Sequence, residues 1–526
     1  MRGLFMKCRL KDFCLCVFSS VLLVLAFPKT EISALAWVGL VPLMTALDGK
    51  DNGRAFFLSY LCGVFFFGGV LYWFVHVTAL GAVLLVLYLA LYFALFGVGY
   101  SFFSPLKTIQ RLFLLPSLWT VLEFIRAHFL TGFGWAALGH SQYRDLALIQ
   151  IADVTGVFGV SFLVVMVNVF FKEIVPMLFH KGGAYRKGMF YSTLMACVLL
   201  SVLGYGTFRL KSLNHLSAVF SHQAPQALIA VVQANIPQER KWHEPAWPDI
   251  MAEYMALTKE VARRGPDLII WPETSFPGIL WEEKALFEEL QDFVRQMKIP
   301  LLVGAVTREG KDYYNSALLL SKEGGVIGQY RKVHLVPFGE YIPMRSLFPF
   351  LSQIVPIADF TAGKEYTIFP LSVRGEGRGR PASISRQRGR QGAFSVLICF
   401  EDTVARLSRR LAQRGAQLLV NITNDAWFED TKAPFLHLQS AVFRTVENRR
   451  GLVRSANTGV SCFIDAFGRI VQAVQNDRHK TTYVRGYAVA EVRFSREETF
   501  YTKFGDVFTF GCLGCILAMI VRKKYI

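Results

Sequence analysis

The sequence predicts a two-part fold, a membrane α-helical bundle of about eight transmembrane helices joined to a layered α/β domain. Three observations predict it. Apolar residues make up 53% of the 526 positions, above the roughly 45–50% of soluble domains. The excess is confined to 1–210 and 504–521, where Phe, Leu, Val and Gly dominate, while 225–500 has a soluble protein's mixture. Within 225–500, short apolar runs alternate with runs of helical spacing, the pattern of strands and helices packed in layers.

The apolar segments come in order at about 12–27, 31–47, 55–77, 79–103, 110–129, 154–175, 188–208 and 504–521. Each is long enough, or nearly so, to cross ~30 Å of hydrocarbon. The run at 31–47 is the weakest. Lys and Arg cluster before the first run (Arg2, Lys7, Arg9, Lys11), after the second (Lys50, Arg54) and after the fourth (Lys107, Arg111). Further clusters follow the sixth (Lys172, Lys181, Arg186, Lys187) and the eighth (Arg522, Lys523, Lys524). With eight spans all these clusters share one side, which the positive-inside rule makes cytoplasmic, and the domain between spans seven and eight takes the opposite face. The first span resembles a signal peptide without a small-residue cleavage site and is expected to be retained. Domain boundaries follow as 1–211, 227–490 and 503–526. The net charge of +18 is explained largely by these clusters and one loop, so no nucleic-acid partner is expected. Seven of nine cysteines lie in or beside apolar segments, leaving Cys399 and Cys462 in the globular part, with no disulfide framework and no zinc spacing.

In the globular part, strands are expected at 228–233, 268–271, 300–305, 315–321 and 326–329, the last two joined by a Gly324-Gly325 turn. Helices are expected at 247–264, 282–298, 403–414 and 434–450, and further strands at 395–399, 417–422, 452–457 and 460–465, with Asp465–Gly468 as a turn. Two stretches break the pattern. Arg345–Ala358 is apolar without a period and is expected to form a lid touching lipid. Arg374–Arg390 carries six arginines among Gly, Ser and Pro and is expected to be a solvated insertion, with anionic-lipid contact as its alternative.

Chemistry concentrates where apolar strands end. Ser395–Asp402 is a buried run terminating in Cys399 and then acidic residues; Asp267–Thr274 is a second, ending in Glu273; Lys332 lies between them in sequence. A lone cysteine there reads as core, a lone glutamate as surface or cap, and a lone lysine as solvated. Together they suit acyl transfer through a thioester. Glu273 would take the proton of a thiol whose ordinary pKa is ~8.5, and Lys332 would favour the thiolate and the oxyanion of a tetrahedral intermediate.

Trp-Pro-Glu-Thr, Tyr-Arg-Lys-Val-His-Leu-Val-Pro-Phe-Gly-Glu-Tyr-Ile-Pro and Ile-Cys-Phe-Glu, in that order, resemble the carbon–nitrogen hydrolase (nitrilase) superfamily. With helices before and after the domain, the chain is similar to the apolipoprotein N-acyltransferase family in particular. Val232–Gln238 with Lys241-Trp242, Asn421–Phe428 and Arg454–Gly459 fit as well, so the resemblance covers essentially the full length. It implies a nitrilase-like α-β-β-α sandwich with Glu273 as general base, Lys332 as oxyanion stabiliser and Cys399 as nucleophile. Glu340 would orient the lysine or the attacking groups, Glu401 would support them, and Trp242 would help hold lipid. The position after the nucleophile is often Tyr in that family and is Phe400 here, which keeps an aromatic wall and loses a hydroxyl.

The implied reaction has two steps. Cys399 takes an acyl chain from a membrane phospholipid, and the free N-terminal amino group of a diacylglyceryl-cysteine apolipoprotein then takes it as an amide. No metal or organic cofactor is expected. The partners are the phospholipid donor, the apolipoprotein acceptor and the bilayer, with the chain a monomer in a bacterial inner membrane and its domain on the periplasmic face. Two rivals share some of these features. A membrane-tethered amidase for small molecules would need a polar pocket and no eight spans. An inert transporter or scaffold would need polar groups along its spans, where Glu123 and His140 fall near ends or loops.

Overall fold

The computed structural model describes residues 10–220, 225–337, 339–341, 359–372 and 391–524. The expected lid and the arginine-rich insertion lie outside them. The chain divides into a helical unit (Met1–Ser212, Thr431–Gln439, Phe504–Ile526) and an α/β unit (Leu213–Asp430, Ser440–Lys503).

The helical unit contains α1 (Leu10–Leu25), α2 (Val41–Leu47), α3 (Asn52–Leu71), α4 (Ala79–Phe103), α5 (Thr108–His128), α6 (Val157–Glu173) and α7 (Gly183–Phe220). Asp51 and Thr78 cap α3 and α4 by accepting from the Arg54 and Gly81 amides, satisfying amides that the helix start leaves open. Small residues then let α3 and α4 approach closely: a methyl on Gly63 would stand 2.9 Å from the Ala90 Cα. Among the described residues, five helical segments are long and apolar enough to cross a membrane: Asn52–His76, Ala79–Phe103, Thr108–His128, Val157–Phe179 and Gly183–Ser212. The other three expected spans form shorter helices. The run at 31–47 breaks into a 3-10 turn (Ser33–Trp37) and α2, with Pro42 at the start of α2, where proline's missing N–H is tolerated.

The α/β unit holds two six-stranded sheets. The first has β1 (Gln226–Gln233), β2 (Leu268–Ile270), β3 (Leu301–Glu309), β4 (Asp312–Leu320), β5 (Val326–Arg331) and the late strand β12 (Gly486–Arg493), in the order β12-β1-β2-β3-β4-β5. The second runs β11 (Ile470–Ala473), β10 (Cys462–Ile464), β9 (Gly451–Ala456), β8 (Leu418–Thr423), β7 (Gln391–Ile398), β6 (Phe369–Ser372). Strands β1, β2 and β3 pair parallel, with Ile270 opposite Leu302, and so do β7, β8 and β9, with Ile398 opposite Ile422. Parallel neighbours need crossover helices, here α8 (Trp247–Ala262), α9 (Lys284–Met297), α10 (Ala405–Gln413) and α11 (Ala433–Asn448); α12 (Val507–Lys524) closes the chain in the helical unit.

Two cores result. Ile229, Val231, Ile270 and Leu319 of the first sheet pack with Phe394, Val396, Ile398 and Val453 of the second. The other face of the first sheet buries Val232, Trp271 and Val303 against Met251, Tyr254, Leu290 and Phe293 of α8 and α9. Each fully buried aliphatic or aromatic side chain contributes about 1.5–3 kcal/mol. The expected elements recur within a few residues, while β6, β11 and β12 were not foreseen.

Candidate active site

Parallel strands aim their C-terminal ends at one edge, the common place for a site in an α/β sheet. Glu273 follows β2, Lys332 follows β5 and Cys399 follows β7. Cys399 sits at φ +52°, a left-handed backbone that a cysteine rarely adopts and that a surrounding structure must enforce. There the chain turns from β7 into a 3-10 segment, Cys399–Thr403.

Glu273 is 6% exposed. Its Oε1 accepts from Asn315 Nδ2 at 2.7 Å and its Oε2 from the Asn424 amide at 2.8 Å. Gly304 on β3 makes room for this turn, since a Cβ there would lie 2.7 Å from the Glu273 Cα. Lys332, 1% exposed, donates to Glu340 Oε1 at 2.8 Å and stands 3.8 Å from Glu273 Oε1. Burial pulls its pKa down, but Glu340, Cys399 and Glu273 outweigh burial and hold the ammonium above the usual lysine value. The Cys399 thiol is pushed well above its ordinary value by burial and then by Glu273, with Lys332 opposing. The resting nucleophile is therefore a thiol. Lys332 favours the thiolate, as expected, yet does not produce it alone, which leaves proton removal to a base during the reaction.

Glu340 accepts from Lys332, from Asn315 Nδ2 at 3.0 Å and, through Oε2, from the Val336 amide at 2.8 Å. Glu401 is fully buried. Its carboxylate accepts from the Tyr330 hydroxyl and from the amides of Val333, His334 and Ile398 at 2.7–2.9 Å. It thereby ties the segment after Lys332 to the strand end before Cys399. Burial lifts its pKa to about 7 against the pull of the Ile398 and His334 amides. Phe400 is 9% exposed and stacks on His334 at 6.0 Å.

The site thus brings together six of the seven sequence-selected residues: Glu273, Lys332, Glu340, Cys399, Phe400 and Glu401. Trp242 is 53% exposed, while its neighbour Lys241 turns inward and donates to the Glu273 carbonyl at 3.1 Å and to Thr274 Oγ1 at 2.6 Å. Sequence reasoning missed Lys241, Asn315 and a buried clamp. In that clamp Arg454 donates to Asp402, Asn421 and Asp425, and Asn421 donates to the Cys399 carbonyl at 3.1 Å. The runs Ser395–Asp402, Asn421–Phe428 and Arg454–Gly459 contain its members without showing that they meet.

The chain is similar to known proteins. Residues 19–170 match the family model described as apolipoprotein N-acyltransferase N-terminal domain, and 228–498 match that of carbon-nitrogen hydrolase. An apolipoprotein N-acyltransferase of Geobacter metallireducens is 38% identical, over 98% of this chain and 96% of its own. One of Chlorobaculum tepidum is 30% identical over 99% of both. Among solved structures, an amidase of Nesterenkonia AN1 from the nitrilase superfamily is 20% identical, with TM-score 0.37, over 51% of this chain and 91% of its own.

Proposed function

The chain belongs to the apolipoprotein N-acyltransferase family of the carbon–nitrogen hydrolases, and from that premise we propose that Cys399 carries the acyl group it transfers. The enzyme N-acylates apolipoproteins in lipoprotein maturation. The observation that carries the mechanism is the convergence of a buried carboxylate, a charged ammonium and a strained cysteine at adjoining strand ends.

In the first step Cys399 Sγ attacks the ester carbonyl of a phospholipid as Glu273 takes the thiol proton. Lys332 stabilises the oxyanion. The intermediate collapses, the carbon–oxygen bond breaks, and Glu273 returns the proton to the departing lysophospholipid alkoxide. In the second step the α-amino group of diacylglyceryl-cysteine attacks the thioester, Glu273 accepts a proton from nitrogen, and the amide leaves as the thiol reforms. Glu340 and Asn315 hold Lys332 and Glu273 in place throughout.

The membrane helices serve two lipid-anchored substrates. The distribution of Lys and Arg supports a periplasmic domain on a bacterial inner membrane. The test is to incubate detergent-purified protein with phospholipid alone and seek an acyl adduct by intact-mass and peptide mass spectrometry. A hydroxylamine-labile acyl group on Cys399, absent from Cys399→Ala, is expected. A folded wild-type protein without an adduct overturns the thioester.

A further inference from the structure

Glu273 has two carboxylate oxygens, and Asn315 holds one of them. The other, Oε2, accepts from the Asn424 amide at 2.8 Å. That bond crosses between the sheets, because Glu273 follows β2 of the first sheet and Asn424 follows β8 of the second. Its length therefore depends on what holds the two sheets together at this edge.

Asn457, the residue after β9, is fully buried there. Its backbone amide donates to the Thr423 carbonyl at 3.1 Å, and its carbonyl accepts from the Asn235 amide at 3.2 Å. Its side chain spans the same two places. Oδ1 accepts from the Ile236 amide at 2.9 Å, and Nδ2 donates to the Ile236 carbonyl at 2.8 Å and to Asn424 Oδ1 at 3.0 Å. Asn235 and Ile236 come just after β1 of the first sheet, whereas Thr423 ends β8 of the second. The turn is pressed close as well, since a Cβ on Gly459 would lie 2.0 Å from Asp425 Oδ2.

These bonds run in one direction. A backbone N–H can only donate, so the Ile236 amide fixes Asn457 with Oδ1 toward itself and Nδ2 toward Asn424. The Ala426 amide, at 3.4 Å, fixes Asn424 Oδ1 in the same way. Asn424 Nδ2 is then turned to Gln238 Oε1, to which it donates at 2.8 Å. The Asn424 side chain is thus held at both ends of its amide while its backbone N–H meets the carboxylate.

We infer that Asn457 is a positioning residue for acyl transfer: through Asn424 it sets the amide that holds Glu273 Oε2, and with it the placing of that carboxylate toward Cys399. The inference rests on Glu273 serving as the base for that thiol.

The test reads the thiol directly. Cys399 is partly exposed, and its alkylation by iodoacetamide in detergent-purified full-length protein is followed against pH by peptide mass spectrometry. The reagent needs no lipid, so this result is read apart from that of the acyl adduct. A hydrogen bond to a carboxylate favours its charged form. Loosening the Asn424 amide should therefore move the acid limb of the profile to higher pH, by about one unit for a tenfold weaker hold. Asn457→Asp, which sets an oxygen against the Ile236 carbonyl and Asn424 Oδ1, should show that shift. Asn424→Ala removes the held side chain and keeps the backbone N–H; it should shift the limb too, and serves where Asn457→Asp does not fold. Ser461→Ala breaks a different bond between the sheets, the one to Gln233 Oε1, and should lower the melting temperature with the limb unmoved. Folded Asn457→Asp or Asn424→Ala protein with the wild-type limb overturns the inference. An equal shift in Ser461→Ala also overturns it, because general loosening of the sheets would then account for the effect.

Discussion

Asn315 offers a demanding perturbation, because a neutral amide joins the carboxylates on either side of Lys332. Its Nδ2 donates to Glu273 Oε1 at 2.7 Å and to Glu340 Oε1 at 3.0 Å. Its backbone carbonyl accepts the Lys332 amide at 2.8 Å, a bond that any side-chain change leaves in place. Hydrogen bonds to charged groups contribute about 1.5–3 kcal/mol each. If Asn315→Ala loses the equivalent of one such bond in the alignment of Glu273, the first step slows about 10- to 150-fold, at ~1.4 kcal/mol per decade. The loss should fall on kcat, since Asn315 is 4% exposed behind the reacting groups. Asn315→Asp keeps the shape but sets a third carboxyl against the other two, and should be slower still. Rapid-mixing intact-mass measurement of Cys399 acylation, with thermal melting as the folding control, reads both. A folded Asn315→Ala protein that acylates within threefold of wild type refutes the bridge.

Glu401 predicts a pH dependence. Burial raises its carboxyl from 4.5 to about 7, so between those values the folded state binds a proton that the unfolded state has released. The stability it contributes is full below pH 4.5 and is lost as pH rises through 7, by about 3 kcal/mol at most. Glu401→Gln should flatten the melting temperature between pH 4.5 and 7.5 and lower it at the acid end, since its NH₂ cannot accept from the surrounding amides; an unchanged slope would count against this assignment. Lys241→Met removes the donor to the Glu273 carbonyl and Thr274 and should slow acylation about tenfold, with rescue by Lys241→Arg not expected in so buried a place; rates equal to wild type would make Lys241 a packing residue. Gly304→Ala places a methyl 2.7 Å from the Glu273 Cα and should cut kcat at least tenfold while the protein still folds; full activity would show that the turn yields.

Two of the three proposed catalytic residues stood out because each sits where an apolar run stops. Leu268–Ile270 ends before Glu273 and Gln391–Ile398 before Cys399, whereas Lys332 follows the partly exposed strand Val326–Arg331 and drew notice by its place between them in sequence and by its motif. Asn315 did not stand out, because its task depends on β4 lying beside β5 and on Glu340 folding back over both. Strand β12 was missed for a related reason: Gly486–Arg493 mixes Glu and Arg into a partly exposed edge and finds its partner in β1, Gln226 opposite Arg493. Lys241-Trp242 shows what a short turn conceals. The turn Gln238–Lys241 directs the lysine inward and leaves the tryptophan half exposed. Periodicity reports which face is apolar, and a four-residue turn has too few residues to carry it. In the helical unit hydropathy marks eight runs, and among the described residues five of them form helices long and apolar enough to span while three form shorter helices. A proline near a helix start or a short break changes the helix without changing the hydropathy. What a sequence states plainly is where burial ends. Which polar groups then meet across two strands is decided by register, and register is decided by pairings far apart in the chain.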